Sequence, residues 1–323
     1  MTESVPADAR LGPEPPHPQR PAHRRRILVV GWFSQRRGGS ATAGDIAACR
    51  LVCDWLRAAG LPHDVALGDP FPGGVDWERV DPAGYTHLLH VCGPVSPDAK
   101  VAAVLERFAH ARLIGVNVSM IQPLREWNPF DALIERDSSR GARPDLAFAA
   151  PADAAPVAGV VQVGPQPEYP DGRHAAVDEA IERLLDGTPA ARVRIDTRLH
   201  GNRTGLRSTA EIESLIAHMD VVVTTRLHGM VFALKHGVPA VAIDPIATGA
   251  KVSRQAAVIG WPVVLTADEL SGRALEDAWR FCLSDRGRAL ARVCGVRAAV
   301  AAEDVRDQIV AAISVPRGVE AAR

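Results

Sequence analysis

Short apolar runs alternate with amphipathic stretches along most of the chain, and this alternation most constrains the fold. Ile27–Gly31, Val221–Thr224 and Ala240–Asp244 are runs of the length and composition that form buried strands. Stretches with helical periodicity lie between such runs. This alternation is typical of parallel strands joined by crossover helices. We therefore predict an α/β protein of two Rossmann-like domains with mostly parallel sheets.

Two changes in composition divide the chain. Residues 1–25 are rich in proline and arginine and poor in large apolar side chains, so we expect a disordered tail. Across 136–156 the alternation loosens into a segment rich in proline and small residues. We therefore place an N-terminal domain at 26–135, a linker at 136–156 and a C-terminal domain at 157–323.

Charge and cysteine content narrow the function classes. The 323 residues carry a formal net charge of −1, whereas nucleic-acid and membrane-surface binders usually have a basic excess. We expect neither partner, and no run approaches the roughly 18 apolar residues that a membrane helix needs. Five cysteines, an odd number, do not form a disulfide framework or a zinc pattern. We expect a reduced, cytoplasmic protein with no metal site.

The sharpest local motif is Thr-Thr-Arg-Leu-His-Gly-Met, which joins a predicted buried strand to the following helix. It places Arg226 and His228 where a strand of an open α/β sheet ends and a helix begins. Ligands bind at such carboxyl ends, and helix N-termini offer free N–H groups to anions. The guanidinium could hold a phosphate or carboxylate, and the imidazole could move a proton. The structural alternative is a capping arginine beside a core histidine.

Lys251 follows the next predicted strand through a short loop. Adjacent parallel strands would bring it to the same edge of the sheet as His228. Only three of the 37 basic residues are lysines, which draws interest to a lysine at this position. The alternative is a solvated surface lysine, the usual fate of that residue.

The tetrapeptide Arg-Leu-His-Gly also occurs upstream, after the predicted strand Arg192–Ile195. Its loop is polar and cationic and could bind an anion through side chains and backbone N–H groups. The alternative is a solvated arginine loop with a coincidental tetrapeptide. The candidate substrate-binding residues in this loop are Arg198, His200, Asn202 and Arg203.

The run 220–251 resembles the C-terminal signature of the polysaccharide pyruvyl transferase family. That signature has a strand, an Arg-x-His-Gly turn, a helix ending in Gly-Val-Pro, a further strand and a lysine. Arg136-Asp137-Ser138-Ser139, with Pro144–Phe148 after it, is similar to the family's Arg-Asp-x-x-Ser segment and Pro-Asp linker. The N-terminal run 27–45 resembles the family's opening strand and Asn-x-Gly-Asp loop. The resemblance spans about 26–300 and is densest in the second half.

The resemblance implies two Rossmann-like domains in a GT-B-like arrangement around a central cleft. It implies an enzyme that moves the pyruvyl group of phosphoenolpyruvate onto sugar hydroxyls as a ketal and releases phosphate. The partners would be this small-molecule donor and a carbohydrate acceptor, with no cofactor required. The sequence leaves the oligomeric state open. In this chain Arg136, Arg226 and Lys251 would bind the donor, and His228 would act as the acid/base.

The sequence departs from the family pattern on the acceptor side. The Asn-x-Gly-Asp loop reads Thr-Ala-Gly-Asp, so Gly44 and Asp45 are the residues there that match. Two other readings stay open. One is a nucleotide-sugar glycosyltransferase of GT-B architecture, and the other is a family-derived binding protein without catalysis. Intact Arg136, His228 and Lys251 favour the enzyme over the binding protein.

Overall fold

The computed structural model describes residues 25–34, 41–68, 73–152, 154–247 and 249–314. The chain forms two compact units, the first ending at Ala152 and the second beginning at Asp153. The division falls within the segment 136–156 that the sequence analysis assigns to a linker. Nearly all of the predicted N-terminal tail lies outside the described residues.

The first unit is a parallel five-stranded sheet with helices and a small second sheet. Its main sheet has the order β2-β1-β3-β5-β7, and every pairing in it is parallel. The strands and helices are β1 (Ile27–Gly31), α1 (Ala43–Ala58), β2 (His63–Val65), β3 (His87–Val91), β4 (Pro94–Val95), α2 (Ala99–Arg107), β5 (Arg112–Val116), β6 (Ser119–Met120), β7 (Ala132–Ile134), β8 (Asp137–Ser138) and β9 (Gly141–Ala142).

Both faces of the first sheet are covered, which explains the continuous apolar run of β1. Ile27 and Val29 belong to the cluster on the α1 face, and Leu28 and Val30 belong to the cluster on the α2 face. Successive side chains of a strand point to opposite faces, so a strand buried on both faces must be apolar throughout. All five residues of β1 are buried.

The small sheet is formed by short segments that follow the main strands of the first unit. β4 comes after β3, β6 after β5 and β8 after β7, and the order is β4-β6-β8-β9. The pairings of β4, β6 and β8 are parallel, and β9 returns antiparallel to β8. The carboxyl ends of three neighbouring main strands are therefore continued by this second sheet.

The second unit repeats the parallel arrangement. Its sheet has the order β11-β10-β12-β13-β14, again with every pairing parallel. Its core contains fully buried residues of β12 and β13 together with apolar side chains from α3 to α8. The elements are β10 (Val157–Val161), α3 (His174–Asp186), β11 (Ala191–Arg194), α4 (Thr209–Ala217), β12 (Val221–Thr224), α5 (Leu227–Lys235), β13 (Ala240–Asp244), α6 (Lys251–Ile259), β14 (Val264–Thr266), α7 (Gly272–Leu283) and α8 (Asp285–Ser314).

The prediction of an α/β chain with mostly parallel sheets is confirmed. The predicted strands Ile27–Gly31, Val221–Thr224 and Ala240–Asp244 have the predicted bounds. Within the described ranges, no helix is both long and apolar enough to cross a membrane. All five cysteines are free and buried.

Candidate functional site

The second unit has a topological switch point at the carboxyl ends of β10 and β12. β10 lies between β11 and β12, so the chain leaves β10 toward one side and later returns to its other side. The connections that follow these two strands therefore run in opposite directions over the sheet. Ligands bind at such a switch point in open α/β sheets. The loop after β12 carries Arg226 and His228, and the loop after β10 carries Gln166 and Tyr169.

Buried threonines and a glycine fix the turn from β12 to α5. The Thr224 hydroxyl accepts a hydrogen bond from the Arg226 backbone N–H at 2.9 Å. The Thr225 hydroxyl accepts one from the backbone N–H of Val163 at 2.8 Å, which ties the ends of β10 and β12 together. A Cβ atom on Gly229 would lie 2.3 Å from the Thr224 hydroxyl, so only glycine lets α5 approach the strand this closely. The glycine of the motif therefore has a packing role.

Arg226 is a half-buried cation whose hydrogen-bonding capacity is not used within the described structure. Its buried Nε has no hydrogen-bond partner there, and its side chain forms no ion pair with a described residue. Burial lowers the pKa of its guanidinium, while Asp196 acts in the opposite direction and Arg198 adds to the lowering. An incoming anion would both compensate this charge and accept from the free N–H.

His228 is an exposed side chain in the first turn of α5. Its ring lies beside Phe232, with centroids 5.9 Å apart and an interplanar angle of 31°. The structural alternative of a core histidine does not agree with this exposure, and the catalytic role of His228 stays a prediction. An exposed imidazole can exchange a proton with a bound ligand.

Lys251 is the first residue of α6 and lies at the same edge of the sheet. Its ammonium donates to Oε1 of Gln166 at 2.9 Å and lies 5.5 Å from the centroid of the Tyr169 ring. Gln166 follows β10 and Lys251 follows β13, and β12 lies between these two strands. The hydrogen bond therefore crosses the end of β12, where Arg226 is placed.

The N-terminus of α6 already has a carboxylate partner. Asp244, which is buried at the end of β13, accepts hydrogen bonds from the backbone N–H groups of Ala250 at 2.7 Å and Ser253 at 3.0 Å. It also accepts from the backbone of Ile246 at 3.2 Å. Asp244 thus fixes the loop that delivers Lys251 to the edge.

The second Arg-Leu-His-Gly forms a loop organised around Asp196. The Asp196 carboxylate binds the Arg198 side chain at 2.8 Å and accepts from the backbone of Arg198 and Arg203. The hydrogen bond from Arg198 holds the pKa of Asp196 at about 2. Asn202 donates to the carbonyls of residues 196 and 198 and accepts from the backbone N–H groups of residues 204 and 206. His200 is exposed.

The contacts within this loop show which of the four predicted residues stabilise the loop and which have side chains available to a ligand. The Asn202 amide holds the loop together, and the Arg198 charge is offset by Asp196. The exposed side chains of His200 and Arg203 are the members of the predicted set that the loop does not use internally among its described contacts. The substrate-binding role of all four residues stays a prediction.

Arg136 lies in the first unit and is engaged by its own neighbours. Its guanidinium donates to Asp137 at 3.1 Å and to Asp145 at 2.8 Å, and it also contacts the Ser119 hydroxyl. These contacts join the small sheet to the segment that follows it. Two carboxylates compensate the charge, so the arrangement favours a structural role, and donor binding by Arg136 stays a prediction.

Gly44 and Asp45 belong to the first turn of α1. The Asp45 carboxylate accepts from the Thr42 backbone N–H at 2.7 Å and from the Thr42 hydroxyl at 3.0 Å. This is the return half of a capping box, which satisfies a free N–H at the start of a helix. The contacts assign Asp45 to helix capping, and a substrate role for either residue stays a prediction.

The structure thus brings Arg226, His228, Lys251 and the Arg198 loop to one edge of the second unit. Sequence reasoning missed Gln166, Tyr169 and Asp244 as parts of this edge. Applying the strand-end rule to the residues after β10 would have indicated Gln166 and Tyr169. In the part of the chain that is described, no group of three or more His, Cys, Asp and Glu side chains is arranged to hold a metal ion.

Comparison with known proteins adds a family match to this geometry. The family model described as "Polysaccharide pyruvyl transferase" matches residues 144–245, about a third of the chain. This segment includes Arg198, Arg226 and His228 and ends before Lys251. The resemblance predicted from the sequence is confirmed for this segment, and the match supports a transferase. No curated protein shows significant similarity to the chain.

Solved structures show remote likeness only. The UDP-GlcNAc 2-epimerase of Methanocaldococcus jannaschii is 8% identical and aligns over 86% of this chain and 99% of its own, with a TM-score of 0.30. A putative UDP-N-acetylglucosamine 2-epimerase of Listeria monocytogenes is 12% identical over 88% and 97%, with a TM-score of 0.30. The kitacinnamycin glycotransferase is 13% identical over 87% and 98%, with a TM-score of 0.28.

Proposed function

We propose that the protein transfers the pyruvyl group of phosphoenolpyruvate to two hydroxyls of a carbohydrate, forming a ketal and releasing inorganic phosphate. The observation that carries this proposal is the turn after β12, where the unpaired Arg226 and the exposed His228 stand at a switch point within the segment that the family model matches. The family supplies the reaction, and the edge of the second unit supplies groups suited to it.

The donor carries a phosphate and a carboxylate, and the edge offers two cations for them. Arg226 has a free N–H, and Lys251 has only neutral partners among the described residues. Charge-assisted hydrogen bonds from guanidinium and ammonium groups are the strong means of holding such anions. The two cations follow adjacent strands, β12 and β13, so one small molecule with two anionic groups is a suitable ligand.

The reaction needs a group that moves protons near neutral pH. The methylene carbon of the donor gains a proton, the bond between the central carbon and the phosphate oxygen breaks, and two sugar oxygens bond to that carbon. The two hydroxyl protons of the sugar are balanced by one on the new methyl group and one on the released phosphate. We assign His228 to this proton transfer, because its imidazole is exposed and it lies in the first turn of α5, two residues after Arg226.

Donor binding is tested by calorimetric titration of the full chain with phosphoenolpyruvate and, separately, with UDP-GlcNAc. We expect saturable binding of phosphoenolpyruvate, weakened about ten-fold or more by Lys251→Ala, because one charge-assisted contact is lost. The Lys235→Ala variant, which removes a lysine paired with Glu213 on another part of the unit, is the matched control. Binding of UDP-GlcNAc alone would contradict the proposal and favour glycosyl transfer.

The role of His228 is tested by phosphorus NMR of phosphoenolpyruvate consumption with a panel of simple glycosides as acceptors. We expect His228→Ala to retain donor affinity and to lose phosphate release by two to four orders of magnitude, the usual size of a general acid–base contribution. Full turnover by His228→Ala with unchanged donor affinity would show that another group moves the proton.

A further inference from the structure

The partners of Lys251 are unusual for a chain with nearly equal numbers of acids and bases. Most arginines with a side-chain partner contact an Asp or Glu, and Lys235 contacts Glu213 at 2.6 Å. Lys251 instead contacts the amide oxygen of Gln166 and the face of the Tyr169 ring. An amide and an aromatic ring orient an ammonium group without cancelling its charge.

The residues that hold Lys251 are themselves held in place. The loop that carries Gln166 and Tyr169 starts at Val163, whose N–H binds Thr225 and whose carbonyl contacts Nδ1 of buried His174 at 3.1 Å. The same loop ends at Arg173, whose backbone N–H donates to the carbonyl of Pro245 at 2.9 Å. Both ends of the loop are therefore anchored, one at β12 and one at the connection after β13.

We propose that Gln166 and Tyr169 are positioning residues that hold the Lys251 ammonium across the end of β12 with no described carboxylate in contact with it, so that its charge is available to an anionic ligand. This rests on the proposed function for the identity of the anion, phosphoenolpyruvate, and on the contacts above for the positioning. A carboxylate in place of Gln166 would keep the hydrogen bond but neutralise the cation. Because Gln166 and Tyr169 are neutral, they orient the Lys251 ammonium but do not compensate its charge.

The positioning is tested by NMR on the full chain labelled with carbon-13 at the lysine Cε. The sequence has only three lysines, so three signals are expected, and Lys100→Arg and Lys235→Arg assign them. The ring current of Tyr169 should move the Lys251 Hε protons upfield of those of exposed Lys100. Tyr169→Phe should keep this shift and Tyr169→Leu should remove it. A Lys251 signal that coincides with that of Lys100 in the wild type would overturn the positioning.

The availability of the Lys251 charge is tested by titrating the variants with phosphoenolpyruvate and, separately, with inorganic phosphate. We expect Gln166→Glu to weaken the affinity for both anions about ten-fold, because an acid now pairs with Lys251. Gln308→Glu adds the same charge on exposed α8 and should change neither affinity. Equal affinities of wild type and Gln166→Glu would overturn the proposal.

The outcomes distinguish this inference from the proposed function. If phosphoenolpyruvate binds no better than phosphate, while Gln166→Glu still weakens phosphate binding and the ring-current shift is present, the donor assignment fails and the positioning stands. If phosphoenolpyruvate binds well and Gln166→Glu has no effect, the donor assignment stands and the positioning fails. If the wild type binds neither anion, both fail.

Discussion

The two units share one strand order, but two cations at the carboxyl edge of the second unit lack the acidic partners that Arg136 has at the edge of the first. Each sheet has its first strand between the second and third, so each has a switch point. In the first unit, Arg136 is compensated by two aspartates, and the buried Glu135 binds Arg140 at 2.6 Å. In the second unit, Arg226 and Lys251 have no acidic partner among the described residues.

The difference shows that the parallel sheet places a cation at its carboxyl edge, whereas the contacts of that cation determine whether it stabilises the fold or can bind a ligand. A cation paired with a carboxylate stabilises the fold, and replacing it leaves an unpaired acid. A cation with neutral partners contributes little to stability and remains available to a ligand. An arginine at the carboxyl edge of one sheet therefore has a different expected phenotype from an arginine at the carboxyl edge of the other.

The largest expected effect is a loss of stability of the first unit at acidic pH. His90 is buried in the first unit, and burial lowers its pKa to about 4. The unfolded chain binds a proton near pH 6.5 that the folded unit does not, so stability is lost as the pH falls from about 6.5 to 4, by up to about 3 kcal/mol. Hydrogen exchange of β3 amides at pH 7 and pH 4.5 measures this loss.

The His90→Leu variant should be less sensitive to pH in this window, because the titrating group is gone. His218→Leu, which replaces an exposed histidine of the second unit, should leave the pH dependence of β3 exchange unchanged. Equal acid sensitivity of wild type and His90→Leu would refute the assignment. The pKa of about 2 for both Glu135 and Asp196 means that their contribution to stability is lost as the pH falls from about 4.5 and 3.8, respectively, to about 2, so most of that loss lies below this window.

The next effect concerns the free cation of the second unit. We expect Arg226→Gln to weaken phosphoenolpyruvate binding about 30-fold, or about 2 kcal/mol, because a partly buried charge-assisted contact is lost. Calorimetry measures the change. Arg112→Gln, at the exposed start of β5 in the first unit, is the control and should stay near the wild-type affinity. Similar losses of affinity in both variants would mean that the effect comes from the net charge of the protein and not from a contact with Arg226.

A smaller effect is expected for the compensated cation of the first unit. Arg136→Gln leaves Asp137 and Asp145 without their guanidinium, so the free energy of unfolding should fall by about 1–2 kcal/mol. Urea unfolding measures this, and calorimetry on the same variant should show unchanged phosphoenolpyruvate affinity. A loss of affinity like that of Arg226→Gln would show instead that Arg136 binds the donor, as the resemblance implies.

The smallest effect concerns Asp45, which the family resemblance places on the acceptor side. We expect Asp45→Ala to lower the free energy of unfolding by about 1 kcal/mol, because the capping box of α1 loses its return hydrogen bond. Asp54→Ala, in an exposed ion pair on the same helix, should cost less than about 0.5 kcal/mol. Urea unfolding of both variants compares the two costs, and equal costs would refute the capping role.

The sequence predicts the main strands because buried strands of a parallel sheet must be apolar along their whole length. The bounds of β1, β12 and β13 follow from this rule alone. The small sheet cannot be predicted by this rule, since its strands are only two residues long and have no hydrophobic periodicity. Its pairing depends on where β3, β5 and β7 end, which is tertiary information.

The same limit applies to the site. Arg226, His228 and Lys251 could be proposed because each follows a strong strand pattern. The hydrogen-bond partners of these side chains could not be predicted from the sequence, since the pairing of Lys251 with Gln166 joins residues 85 positions apart. The internal pairing of Arg136 with Asp145 also depends on the fold of a turn that has no periodic signal. Residue type and position after a strand thus predict candidate site residues. Only the contacts of each side chain in the folded structure distinguish a cation that is available to a ligand from one that is paired internally.

The most direct test of the central claim is a crystal structure of the full chain grown with saturating phosphoenolpyruvate. We expect density for one donor molecule at the carboxyl ends of β12 and β13, with its two anionic groups in hydrogen-bond contact with the Arg226 guanidinium and the Lys251 ammonium. A donor bound at the carboxyl edge of the first unit through Arg136, with the edge of the second unit empty, would contradict it.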